Sequence, residues 1–232
     1  MIPIVILCGG LGTRVQQEYK GIPKSLIPIN GIPFLDIQIM SLVKSGFKSF
    51  YLSTGYLGEL IEDHISKNSM YKNITIKIIR DSSHALGTGG ALKNVAKHIS
   101  SPFFVIYGDS YLDINYKKMF KTYKLNQGPM ISIYKNYNLF DKSNCWFEGD
   151  ILRYSKEHSE IFDYIDYGVS IYENCYFESY HDSFDLSLLQ ENYSKIGKLQ
   201  FYKNKKRFYE IGSIQGIKEL SQFLKHLLIS GD

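Results

Sequence analysis

The chain has 232 residues, 44% of them hydrophobic and 22% charged, which suits one α/β domain with a full core and an ordinary water-soluble globular protein. A formal net charge of +4 is too small to indicate nucleic acid, yet it accommodates an anionic small-molecule partner. Three cysteines, Cys8, Cys145 and Cys175, form no disulfide framework or metal-ligand spacing and read as reduced thiols of a cytoplasmic protein, and no apolar stretch reaches the ~20 residues that span a bilayer.

The apolar run Ile2–Cys8, bounded by Gly9 and Gly10, reads as a buried parallel strand. Residues 34–44 carry Leu35, Ile39, Leu42 and Val43 at helical spacing and stop at Gly46. Residues 49–53 form a second strand, 57–66 a second helix, 74–79 a third strand, 91–99 a third helix and 103–107 a fourth, wholly apolar strand. This alternation predicts a parallel sheet covered by helices, with the carboxyl ends of its strands on one edge. Beyond residue 112 the pattern turns β-rich. Strands are predicted over 130–134, 145–147, 151–154, 167–172, 199–202 and 207–209, with a hairpin turn at Glu148-Gly149-Asp150. Helices are predicted over 186–192, with Asp185 as N-cap, and over 214–228. The basic run Lys203, Lys205, Lys206 and Arg207 reads as a solvated turn.

Three glycine-bearing segments sit at strand ends. Leu7-Cys8-Gly9-Gly10-Leu11-Gly12-Thr13-Arg14 directly follows the first strand. Its glycines let the backbone approach a ligand and aim N–H groups at phosphate oxygens, and Arg14 adds a forked charge. A dinucleotide fingerprint would need Gly where Val15 stands, and a Walker A loop would need Lys before the hydroxyl residue. Lys24, stiffened by Pro23, can return to the same phosphates. Leu86-Gly87-Thr88-Gly89-Gly90-Ala91 precedes the third helix, where N–H groups are free. Tyr107-Gly108-Asp109-Ser110 places a carboxylate at the end of the fourth strand, suited to a hard cation such as Mg²⁺. Glu210 is the candidate second metal ligand. The competing reading of Glu210 is a helix-start acid favoured by the helix dipole. Asp113 has the wrong spacing for a D-x-D element and reads as structural.

The first segment, followed by Pro23-Lys24, resembles the signature of the sugar-phosphate nucleotidyltransferases, the nucleotide-sugar pyrophosphorylases. Later segments match in order, so the resemblance runs over nearly the whole chain. It implies a Rossmann-like, GT-A-like α/β fold in a single domain over 1–232, with a nucleotide-binding half (1–112) and a sugar-phosphate-binding half (113–232). It further implies that Leu7, Gly9, Gly10, Gly12 and Thr13, with Gly87, Thr88 and Gly89, hold the nucleotide. Arg14 would then stabilise the leaving pyrophosphate, Lys24 would contact phosphate, and Asp109 would bind Mg²⁺ with Glu210, which stands where many members have Asp. On the sugar side, Lys156 resembles a glutamate-lysine element whose glutamate is here Ser155, and Asp166 with Gly168 resembles the start of the sugar-lining strand.

The implied partners are a nucleoside triphosphate and a sugar 1-phosphate, with no nucleic acid and no membrane; a homo-oligomer is left open. The form of the first loop is most similar to guanylyltransferases for mannose- or heptose-type 1-phosphates of surface-glycan synthesis, which favours GTP and leaves CTP, UTP and dTTP open. A sugar 1-phosphate is already an anionic nucleophile near neutral pH, so the reaction needs positioning and charge neutralisation rather than an acid–base dyad. The scattered histidines, of which only His84 lies near a glycine loop, agree. The competing readings are a glycosyltransferase of the same fold, a nucleotide-binding regulator, and a nucleotidyltransferase with another phosphate acceptor.

Overall fold

A computed structural model describes residues 1–10, 12–81, 86–157 and 160–230, with side chains through 227. Leu11 of the first glycine loop and His84 lie outside the described residues. The first half of the chain follows the predicted alternation. It runs β1 (Ile4–Leu7), a short hairpin β2 (Pro28–Ile29) and β3 (Ile32–Pro33), α1 (Phe34–Lys44), β4 (Ser49–Thr54), α2 (Gly58–Lys67), β5 (Thr75–Arg80), α3 (Gly87–Ala96) and β6 (Phe103–Tyr107). Then come β7 (Ser110–Tyr111), α4 (Tyr116–Thr122), β8 (Met130–Lys135), β9 (Cys145–Glu148), β10 (Ile151–Tyr154) and β11 (Tyr164–Tyr172). The last elements are α5 (Leu186–Lys195), β12 (Gln200–Asn204), β13 (Tyr209–Glu210) and α6 (Ile214–Ser230).

β1 lies at the centre of the parallel part, between β4 and β6, and β5 lies outside β4. Val5 stands opposite both Tyr51 and Val105. β11 then adds antiparallel to β6, β8 antiparallel to β11, and β12 parallel to β8. Alternation along β1 explains the layers, because successive side chains of a strand face opposite ways. Ile4 and Ile6 pack with Leu35, Ile39 and Leu42 of α1, Ile61 of α2 and Met119 of α4. Val5 packs with Leu92 and Val95 of α3 and Leu186 and Leu189 of α5. The sheet is therefore mostly parallel and covered by helices on both faces, as the sequence predicts. Each such fully buried aliphatic side chain contributes roughly 1.5–3 kcal/mol. Among the described residues no helix is long and apolar enough to cross a membrane.

Three differences from the sequence reading bear on the site. α3 begins at Gly87 rather than Ala91, so the second glycine segment is the first turn of the helix and not a loop before it. β11 begins at Tyr164 and carries a bulge between Asp166 and Ser170, where Gly168 has φ +88°, a left-handed conformation natural to glycine. The late strand is Tyr209–Glu210 and pairs with β7, setting Glu210 opposite Ser110. The hairpin turn at 148–150 is as predicted: Glu148 pairs with Ile151 across it, with Gly149 at φ +60°.

Candidate active site

The carboxyl ends of β1, β4, β5 and β6 open onto a cleft of about 400 Å³. Leu7, Gly9, Gly10, Gly12, Lys24, Gly87, Thr88 and Asp109 of the predicted set line it. The first loop leaves β1 with Cys8 N donating to Ser53 O at 2.7 Å. Gly9 is tightly flanked, since a methyl there would sit 3.2 Å from Asp81 Oδ2 and 3.3 Å from Gly55 N, close enough that its neighbours would have to give by a few tenths of an ångström. Gly10 faces open space. Gly12, at φ +61°, turns the chain so that it lies against the stem of Lys24. Cys8 lines the cleft too, but burial pushes its thiol up to about 12, against the effect of the Ser25 hydroxyl, so it is no nucleophile near neutral pH.

After the loop the chain runs through successive turns to Lys24. Val15 anchors them among Ile211, Ile217 and Leu220 at the start of α6, which leaves the neighbouring Thr13 and Arg14 exposed. Lys24 opens a short 3₁₀ turn after Pro23 and reaches Asp109, its Nζ 2.5 Å from Oδ2. Glu210 joins them from β13. A methyl built on Gly212 would lie 2.5 Å from Glu210 Oε2, 2.8 Å from Lys24 Nζ and 3.4 Å from Arg14 Nη2. The structure thus brings Arg14, Lys24, Asp109 and Glu210 together beside one side-chain-free residue.

Glu210 is already engaged. Gly212 N donates to its Oε2, and Ser213 Oγ donates to its Oε1 at 2.6 Å. Both bonds satisfy groups at the entry to α6, the arrangement of a helix-start acid.

The second glycine segment corrects an expectation. Gly89 N and Gly90 N both donate to Phe184 O, at 2.9 and 3.1 Å, and Leu186 N donates to Thr88 Oγ1 at 3.0 Å. These N–H groups are bonded to protein rather than free. A methyl on Gly89 would strike the Phe184 ring at 2.4 Å and one on Gly90 would strike Asp182 O at 2.2 Å. The glycines let α3 dock on the segment before α5, and Gly87, Thr88 and Ala91 are left to face the cleft. Asp185 takes the N-cap position of α5 without a side-chain capping bond.

On the sugar side the predicted residues divide. Lys156 Nζ donates to Asp185 Oδ2 at 3.2 Å, and Asp185 lines the cleft, so Lys156 stands at its margin. Asp166 and Gly168 are not among the described residues that line the cleft; Asp166 accepts from Gly168 N and Gln190 Nε2, both at 3.0 Å. Burial raises its carboxyl to about 6. Burial, and after it the nearby Asp166 charge, raises the Tyr107, Tyr154 and Tyr172 phenols, and Tyr107 lines the cleft. Asp113 pairs with Lys206 at 2.5 Å, a structural use, as expected.

Sequence reasoning missed Ser53, Asp81 and Asp185, all of which line the cleft. Asp81 directly follows β5, so the strand-end logic that selected Asp109 applied to it as well. Burial raises its carboxyl above the usual range, against the Ser53 hydroxyl that donates to it.

The model of the nucleotidyl transferase family matches residues 4–139, which include the first loop, Lys24, the second glycine segment and Asp109. The chain belongs to the nucleotidyl transferase family. Among its relatives is a D-glycero-alpha-D-manno-heptose 1-phosphate guanylyltransferase of Campylobacter jejuni, 36% identical over 138 residues, which are 60% of this chain and 59% of that protein. An enzyme of the same description from Aneurinibacillus thermoaerophilus is 28% identical over 97% of this chain and 99% of its own length. Among solved structures, HddC from Yersinia pseudotuberculosis superposes with a TM-score of 0.82 at 28% identity, covering 97% of this chain and all of that one, and it has also been solved with GMP-PN. The Rossmann-like fold expected of this nucleotidyl transferase is thereby shown.

Proposed function

We propose that this nucleotidyl transferase joins a nucleoside triphosphate, GTP in preference, to a sugar 1-phosphate of the mannose or heptose type, releasing pyrophosphate. The Lys24–Asp109 pair at 2.5 Å, set under a glycine loop where parallel strands end, carries the proposal. A triphosphate held by that loop would meet this cation and this carboxylate. Guanylyltransferase relatives support the choice of nucleotide and sugar. The half before residue 113 would hold the nucleotide and the half after it the sugar phosphate. The product would feed surface-glycan synthesis, and the place of reaction would be the cytoplasm, where thiols such as Cys8, Cys145 and Cys175 stay reduced.

In the reaction an anionic oxygen of the sugar phosphate forms a bond to the α-phosphorus as the bond to pyrophosphate breaks. The first loop aligns the triphosphate, while Arg14 and Lys24 neutralise charge that moves onto the leaving group. Asp166, Gly168 and Lys156 would orient the sugar phosphate from the opposite side. No proton needs to move.

The residues present fit Mg²⁺. Among the described residues lining the cleft are Asp81, Asp109 and Asp185 against Lys24, a net negative wall that a triphosphate meets only with added positive charge. No group of three or more potential metal ligands occurs among the described residues. Mg²⁺ characteristically takes one or two carboxylates and completes its shell with phosphate oxygens and water. Asp109 would hold it, with Glu210, whose oxygens already accept from Gly212 N and Ser213 Oγ, as the second carboxylate acting through water, and it would supply charge neutralisation to the phosphates.

The test is pyrophosphate release by purified protein with Mg²⁺, each of GTP, CTP, UTP and dTTP, and mannose-, heptose- or glucose 1-phosphate. GTP with a manno-configured acceptor is expected to be fastest. Asp109→Asn is expected to lower turnover by about 10²–10³-fold or more with an unchanged circular dichroism spectrum. Release with no pair would refute nucleotidyl transfer to a sugar 1-phosphate, and near-normal turnover in Asp109→Asn would refute the metal assignment alone.

A further inference from the structure

The turn that carries Asp109 is gripped from several sides. Gly108 N donates to Leu7 O at 2.9 Å, and Ile211 N donates to Asp109 O at 2.9 Å. The remaining grip comes from a side chain. Gln38, on α1 and only 2% exposed, donates through Nε2 to Tyr107 O at 2.9 Å and to Ser110 O at 2.7 Å. Those two carbonyls flank Gly108 and Asp109. We infer that Gln38 is a positioning residue for the nucleotidyl-transfer reaction, its amide setting the place of Asp109 by clamping both ends of the Tyr107–Ser110 turn. The inference rests on the proposed role of Asp109.

The chemistry of the position selects an amide. Two backbone acceptors face one buried point, so the group there must donate twice and carry no charge that demands a counter-ion. Leucine would leave both carbonyls without a buried partner. Ionised glutamate would turn an oxygen against them. Lysine could donate but would bury a charge. Among the described residues Gln38 Oε1 has no hydrogen-bond partner, although a buried polar atom of this kind ordinarily finds one. The position therefore calls for a neutral double donor, which simple packing of α1 would not require. The reach extends to the second carboxylate, because β7 begins at Ser110 and pairs with the strand that bears Glu210.

The experiment compares wild type, Asp109→Asn, Gln38→Leu and Gln38→Glu. Each is assayed for kcat and KM in pyrophosphate release, and for Mn²⁺ binding by electron paramagnetic resonance in the presence of a non-hydrolysable triphosphate. Misplacing a reacting constellation by about 1 Å costs on the order of 10²-fold. Gln38→Leu is therefore expected to lose about that much kcat and to bind Mn²⁺ more weakly, with the KM for sugar 1-phosphate within about threefold of wild type. Gln38→Glu, which donates only when protonated, is expected to recover relative to wild type as pH falls, a profile that a packing defect does not produce.

If Gln38→Leu does not fold, Gln38→Glu decides on its pH ratio. Folded variants with kcat and Mn²⁺ affinity within twofold of wild type overturn the inference, as does a Gln38→Glu to wild-type ratio that is flat with pH. If Asp109→Asn alone keeps wild-type turnover and metal binding, the proposed role of Asp109 falls, and that outcome is distinct from a failure confined to the Gln38 variants. If wild type releases no pyrophosphate, Mn²⁺ affinity decides: weaker binding in the Gln38 variants supports the clamp, and unchanged binding overturns it.

Discussion

Asp166 sits in a recess where burial works against ionisation, more than Gly168 N and Gln190 Nε2 work for it, leaving the carboxyl near 6. An unfolded aspartate titrates near 3.9, so the folded state holds this proton more tightly. The stability it contributes is fully present below about pH 4 and is lost as pH rises through about 6. Asp166→Asn is therefore expected to gain on wild type by about 1–3 kcal/mol between pH 4 and pH 7, as Gln190 turns its amide to meet the new group. Denaturant melts of both proteins at pH 4 and pH 7.5 measure this, and a difference that does not change with pH contradicts the burial argument. The same variant is expected to raise the KM for sugar 1-phosphate while leaving that for the triphosphate near its wild-type value.

At the scale of elements, the two glycine segments look alike in sequence and act differently in the fold. Gly10 opens onto free space, while Gly90 lies under the Asp182 carbonyl. Gly90→Ala must push α3 away from the segment before α5, and overpacking of this kind costs typically 1–3 kcal/mol. Gly10→Ala is expected to leave stability within about 0.5 kcal/mol, as surface changes do, and to weaken triphosphate binding by crowding the approach to the loop. Urea melts and nucleotide titrations of both variants separate the two roles; a Gly90→Ala protein as stable as wild type would show that the dock is loose. Both functions demand glycine, so one chain read alone could not tell ligand room from protein packing. Helix α4 was missed for a related reason. Its Lys-rich seven residues show too little period, and what holds it is Asn115 Oδ1 accepting from Lys118 N, with Tyr116 and Met119 buried against the sheet.

For the whole molecule, a ligand that binds only the folded state stabilises it by mass action, by about 2.7 kcal/mol at one hundred times its Kd. With Mg²⁺ present, GTP is expected to raise the melting temperature more than CTP, UTP or dTTP at equal concentration, and an equal response to all four would remove the preference for guanine. The alternation of strands and helices, the glycine loop after β1, Lys24 and Asp109 could all be read from neighbouring residues, because hydrophobic period and turn chemistry are local. The sequence by itself thus determined the fold class and about half of the residues that line the cleft. It could not determine which groups meet. Lys24 and Asp109 are 85 positions apart, and Gln38 lies 69 and 72 from the carbonyls it holds. Those contacts, the engagement of Glu210 at α6 and the docking of α3 on Phe184 were decided only by the tertiary structure, since it is the place of β6 beside β1, the separate β7–β13 pair beyond it and the packing of α1 on the sheet that bring these residues together.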